Sequence, residues 1–216
     1  MRRYDFRRHA LAVGLSAQAG FVDALGFLKL GGLFVSFMSG NSTRLGVGLA
    51  RGSDVAMAAA ALVVAFVAGV MIGALAGRGA GRWRKQAVLA LVLLLLVLAA
   101  LLAVSGAGGE GLTLLMALAM GAVNNVFQRD GEVSIGVTYM TGALVKLGQA
   151  LATALTGGDP IGWVPWLLLW LGLVAGAVAG AALFPVLDLA ALWIACGWCA
   201  LLLGWSLHIG PLPADG

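Results

Sequence analysis

The chain has 216 residues, 62% of them hydrophobic and only 10% charged, with a formal net charge of +4 and a mean hydropathy of +1.03. Soluble domains carry about 25% charged residues, and no water-soluble packing of a chain this size hides so much apolar surface. The basic balance, with a sequence pI near 9.6, points to anionic lipid headgroups as partners and not to nucleic acid.

In chain order, Arg2, Arg3, Arg7 and Arg8 make residues 1–9 a basic cytoplasmic tail. Ala17-Gln18-Ala19 resembles a signal-peptide cleavage site, but the apolar stretch runs straight past it. A first membrane repeat covers residues 10–106, with apolar spans at 10–28, 56–76 and 87–104. A second covers residues 112–208, with spans at 112–126, 163–183 and 189–207, and residues 209–216 form a short tail. Crossing hydrocarbon takes roughly 20 apolar residues, which these runs approach or exceed. The first span of each repeat is interrupted by polar residues, Asp23 in one and Asn124 with Asn125 in the other. Polar residues at membrane depth are costly and need a reason.

The two halves repeat each other at a spacing of roughly 102 residues. Gly20-Phe-Val-Asp23 recurs as Gly121-Ala-Val-Asn124. Met38, Ser39, Gly40, Arg44, Leu45 and Gly46 fall on Met140, Thr141, Gly142, Lys146, Leu147 and Gly148. One slip later, Gly69, Gly73 and Gly77 fall on Gly172, Gly176 and Gly180.

Cytoplasmic loops collect Lys and Arg, which places both the N-terminal cluster and Arg78, Arg82, Arg84 and Lys85 inside. A full crossing by the polar, Gly-rich segment 33–50 would force the second cluster outside. The segment is therefore expected to be re-entrant or broken, and so is its counterpart at 133–155. The predicted fold is an all-α membrane protein with about six transmembrane helices plus two re-entrant or broken segments. Three full spans per repeat make the two structural repeats inverted, and both termini cytoplasmic. Irregular backbone at membrane depth is tolerated where it is buried in protein or lines a wet cavity.

The run Gly20-Phe-Val-Asp23-Ala-Leu-Gly-Phe-Leu28, followed by Gly31-Gly-Leu-Phe-Val-Ser-Phe-Met-Ser-Gly-Asn41 and Leu45-Gly46, resembles the YoaK-type family of bacterial membrane proteins, a domain of unknown function. The resemblance covers most of the chain. It implies a small multi-pass protein of the bacterial inner membrane and names no substrate.

Asp23 lies about 21 Å along its helix, counting from His9 at about 1.5 Å per residue. A carboxyl there is either an ion-coupling site for H+ or Na+, or one half of a structural pair with Arg44 or Lys29. Asn124 is its neutral counterpart, which suits one ion site better than two. Ser39-Gly-Asn-Ser-Thr43 has the residue types that cap a helix N-terminus, and a half-helix starting there aims partial positive charge at an anion. Ser39, Gly40, Asn41 and Arg44, with Thr141, Gly142 and Lys146, are the candidate binding residues for a small anionic solute. The competing reading is that the hydroxyls satisfy backbone and the cations reach an interface.

Gly69, Gly73 and Gly77, like Gly172, Gly176 and Gly180, fall on one helical face and let backbones approach closely, between the repeats or between protomers of a homo-oligomer. Cys196 and Cys199 form an isolated C-x-x-C in an apolar helix, which supports neither zinc nor redox chemistry. Trp163, Trp166 and Trp205 read as interfacial anchors. No nucleotide loop, nucleophile elbow or metalloprotease motif is present, so the chain is expected to be no enzyme and to need no cofactor or metal. The partners expected are membrane lipids and a small-molecule solute. Two function classes follow: a secondary transporter, H+-coupled through Asp23, or an anion channel or facilitator. An intramembrane enzyme, against which the absence of a paired nucleophile and base counts, or a non-transporting scaffold stands in reserve.

Overall fold

The computed structural model describes residues 6–106, 109–129, 132–133 and 136–210. The fold is all-α apart from one small ribbon: α1 Phe6–Lys29, α2 Met38–Arg51, α3 Val55–Gly79, α4 Arg84–Val104, α5 Glu110–Val123, the antiparallel strands β1 Gln128–Arg129 and β2 Glu132–Val133, α6 Met140–Leu155, α7 Val164–Leu187 and α8 Leu192–Ile209. Helix α1 begins at Phe6, so the last part of the expected tail is already helical. Helices α1, α3, α4 and the α7–α8 run are long and apolar enough to cross a membrane. Helix α5 has 14 residues and continues as turns to Phe127, shorter than the expected span at 112–126. It sits inside the bundle, with Leu112, Met116, Ala117, Ala119, Met120 and Ala122 buried. The long helices show the opposite pattern on their outer faces, where Met57, Val64, Leu75, Val178 and Leu201 are exposed. Apolar residues outside as well as inside are what contact with lipid requires.

The breaks between helices have local causes. Helix α1 ends where Gly31 and Gly32 adopt positive φ, 62° and 111°, and the Gly32 N–H bonds back to the Phe27 carbonyl at 2.8 Å, a glycine-dependent helix stop. Pro165 lies in the first turn of α7, where its missing N–H costs nothing. Helix α7 ends at a short 3-10 turn, Asp188–Ala191.

The halves are interleaved. Helix α1 packs most extensively on α7, and α3 on α5, while α4 lies against α5 and α8. Both main crossings are made by glycine. A Cβ at Gly69 would collide with the Leu118 carbonyl and one at Gly121 with that of Phe66. On the other crossing, Gly176 meets the Ala17 carbonyl and Gly20 that of Leu173.

These contacts correct the glycine alignment by one helical turn. Leu118 is the counterpart of Ala17, so Gly69 matches Gly176, not Gly172. Gly73, against Ala122, likewise matches Gly180, against Phe21. Ala65 holds the position of Gly172, and Gly77 sits under Arg84. The reason is chain length: three residues (52–54) connect α2 to α3, whereas eight (156–163) connect α6 to α7. The inserted residues advance α7 relative to the rest of its repeat.

The two ends of the bundle differ in charge. Lys29, Glu110 and Asp188 gather at one end, around a cavity of about 530 Å³. At the other, α4 starts beside the end of α8, with Lys85 Nζ donating to the Gly210 carbonyl at 3.1 Å and Gln86 Nε2 to that of Ser206 at 2.9 Å. Arg78, Arg82 and Arg84 follow the same turn.

Candidate functional site

Each half carries one helix break held by a side chain from its first helix. In the first, the chain leaves α1, turns back into the bundle and starts α2 at Met38. Asp23 Oδ1 accepts the N–H groups of Val35 and Ser36, both at 2.8 Å. Two groups of the returning segment that lack helical partners are thereby satisfied by a carboxylate. Asn41, with no exposed surface, holds the neighbouring residue from the other side. Its Oδ1 accepts the Phe34 N–H at 2.9 Å, and its Nδ2 donates to the Phe34 carbonyl at 2.6 Å.

Of the two readings of Asp23, the structural pair with Arg44 or Lys29 is not formed. Lys29 lies 3.2 Å from Asp188 in an exposed ion pair, and the Arg44 guanidinium lies over Gly32. The capping expectation is also corrected. Helix α2 begins at Met38 with Phe37 at the cap position and no side-chain cap, so the polar run falls inside the helix. There the Ser42 and Thr43 hydroxyls donate to the carbonyls of Met38 and Ser39 one turn back. Ser39 is exposed. Gly40 lies under the rings of Phe37 and Phe34, which pack edge to face with centroids 5.2 Å apart. The space its missing side chain leaves is thus filled by aromatic carbon.

The second break repeats the geometry without the charge. Asn124 Oδ1 accepts the Thr138 hydroxyl at 3.0 Å and the Thr138 N–H at 3.4 Å, while its Nδ2 donates to the Met120 carbonyl at 2.9 Å. Tyr139 takes the place of Phe37, with its ring over Gly142. Thr141 is exposed. Lys146, also exposed, holds its Nζ 4.7 Å from the centre of the Trp166 ring, a cation–π geometry.

Around this second break lies a cavity of about 420 Å³ bounded by Asn124, Thr138, Gly142 and Lys146, by Phe66 and Val70 of α3, and by Trp166 and Leu169 of α7. Its walls therefore come from both halves. Of the seven candidate solute residues, Gly142 and Lys146 line it; Ser39, Gly40, Asn41, Arg44 and Thr141 do not. Several contributors escaped the sequence reading. Ser36 and Thr138, the partners of Asp23 and Asn124, stand two residues before the aligned Met38 and Met140, so extending the repeat by two positions finds them. Trp166, read as an interfacial anchor, stacks with Lys146. Ser16 donates to the Leu169 carbonyl at 2.8 Å and reaches the Met140 sulfur at 3.8 Å, for which no sequence signal exists. Cys196 and Cys199 are both buried and free.

The family model described as "Protein of unknown function (DUF1275)" matches residues 11–205. The chain belongs to this family. A relative from Rhizobium meliloti (strain 1021), named UPF0700 transmembrane protein RA0705, is 38% identical over 191 residues, covering 86% of this chain and 80% of that protein. No solved structure matches. Membership of this uncharacterised transmembrane family, together with the long apolar helices, makes the chain a multi-pass membrane protein. The match begins in α1 and ends in α8, so both breaks lie within it.

Proposed function

We propose that the protein is a small secondary transporter of the bacterial inner membrane, carrying a small organic anion and coupled to H+ through Asp23. The observation that carries this reading is the cavity at the second break. It combines an ammonium, Lys146, that pairs with no carboxylate among the described residues, with walls from both halves. A site walled by two halves can open to either side as they rock against each other.

Coupling follows from the first break. Protonating Asp23 removes the negative acceptor that draws in the Val35 and Ser36 N–H groups, and so loosens the returning segment from α1. Asn124 cannot make the same change.

An inverted pair of repeats is supported by direction: the end of α1, at Lys29, and the start of α5, at Glu110, line one cavity. The recurring glycine crossings support it too. Cytoplasmic termini are supported by charge, because Arg7, Arg78, Arg82, Arg84 and Lys85 mark one end, whereas the other mixes Lys29 with Glu110 and Asp188. An impermeant thiol reagent on intact cells, applied to single cysteines in a chain whose native pair is replaced, should label near residue 110 and not near 80; the reverse pattern defeats the inverted arrangement.

The functional test is a screen of organic anions on reconstituted liposomes. Uptake should follow an imposed pH gradient, stop with a proton uncoupler, and lose its gradient dependence in Asp23→Asn. Flux indifferent to the uncoupler would mark a channel or facilitator, and binding without flux a scaffold.

A further inference from the structure

We infer that the cavity at the second break takes an amphiphilic carboxylate, a small acid with an apolar or aromatic body, in preference to an inorganic anion. The inference rests on reading this cavity as the organic-anion site. The hydrogen-bonding capacity around it is already largely committed. The Thr138 hydroxyl donates to Asn124, and the Asn124 amide donates to the Met120 carbonyl while its oxygen receives two bonds from Thr138. The one full charge left for a ligand head is the Lys146 ammonium, with the Tyr139 hydroxyl and the Trp166 indole N–H as neutral donors in the same lining. The ammonium's contact with Trp166 is to a ring face and leaves N–H donors free for a carboxylate.

The rest of the lining is largely carbon: Phe66, Val70, Ala143, Leu169 and the ring faces of Tyr139 and Trp166, whose hydroxyl and indole N–H are its other polar groups. At about 420 Å³ the cavity lies within the roughly 300–1,000 Å³ of small-molecule sites. A chloride or phosphate ion held by Lys146 would leave most of that apolar wall uncovered. A carboxylate with a hydrocarbon body satisfies both ends, and burial against such a wall tightens binding by about fourfold per methylene.

The full-length protein, purified in detergent, should therefore bind acetate, butyrate and hexanoate with affinity rising by about fourfold per CH₂ in calorimetric titrations. Hexanol and hexylamine should bind at least tenfold more weakly than hexanoate. Lys146→Gln, at an exposed position, should keep the wild-type unfolding temperature yet lose tenfold or more in hexanoate affinity, with recovery in Lys146→Arg. Equal affinity for acetate and hexanoate, or displacement of hexanoate by equimolar chloride, overturns the amphiphilic preference and leaves the anion reading standing. Hexanol binding as tightly as hexanoate, or hexanoate unaffected by Lys146→Gln, overturns both. Binding of none of these acids overturns the inference, while the liposome screen tests the transport reading on its own.

Discussion

At the first break a carboxylate oxygen receives two backbone N–H groups; at the second an amide oxygen receives one backbone N–H and one hydroxyl. The surroundings diverge as well. At the first break Asn41 and edge-packed phenylalanines surround Phe34, whereas the second borders a cavity with a lysine in its wall. The two breaks share one way of returning the chain into the bundle and differ in charge and in packing. The group that can change charge clamps two main-chain N–H groups, and the neutral one borders the cavity. That separation is why the proposed coupling and binding roles fall to different halves.

The largest effect should come from the glycine crossings. Gly176→Ala places a methyl on the Ala17 carbonyl and should cost about 3 kcal/mol. Gly172→Ala should cost about 1 kcal/mol, because Ala65 already occupies the matching position of the other half. Thermal unfolding in detergent reads both, and equal losses would restore the unslipped alignment. Next, Asn41→Ala strips both partners from Phe34 and should cost about 2 to 3 kcal/mol, with no change expected in the affinity of the second-break cavity.

Exchanging the two clamps sharpens the comparison. Asn124→Asp loses the donor to the Met120 carbonyl and sets oxygen against oxygen, for about 2 kcal/mol. Asp23→Asn keeps an acceptor for Val35 and Ser36 and should cost about 1 kcal/mol, less than its mirror change. Its larger consequence is kinetic, the loss of pH-gradient dependence in liposome uptake. Unfolding curves for the pair in which Asp23→Asn is the more damaging would show that the first clamp is chiefly structural. Smallest of all, Lys29→Gln breaks an exposed pair with Asp188 and should shift stability by about 0.5 kcal/mol or less.

Much of the fold was legible because membranes impose simple rules. Length and apolarity marked the long helices, the repeat marked the two breaks, and basic clusters marked one end. The candidate site was legible in part: Asp23, Asn124, Gly142 and Lys146 were found as repeat counterparts, and Thr138 lay two positions outside the compared block. The partners of those residues were not legible. A carboxylate at membrane depth accepts from any donor in reach, and sequence could not separate Arg44 or Lys29 from two main-chain N–H groups of a returning loop. Likewise, a polar run rich in Ser, Asn and Thr suits a helix cap or a first turn equally well, and which one it becomes depends on where α2 begins.

The sequence by itself determined that the chain is a duplicated membrane protein, because apolar length and internal repetition are properties of the chain alone. Only the tertiary structure decided which helices cross, since Gly69 and Gly176 become equivalent through a longer connection between α6 and α7. It also decided that Lys146 rests on Trp166 in the lining of a cavity walled by both halves. Contacts between residues far apart in the chain depend on how helices slide and rotate against one another, and a one-turn slide leaves every local sequence pattern unchanged.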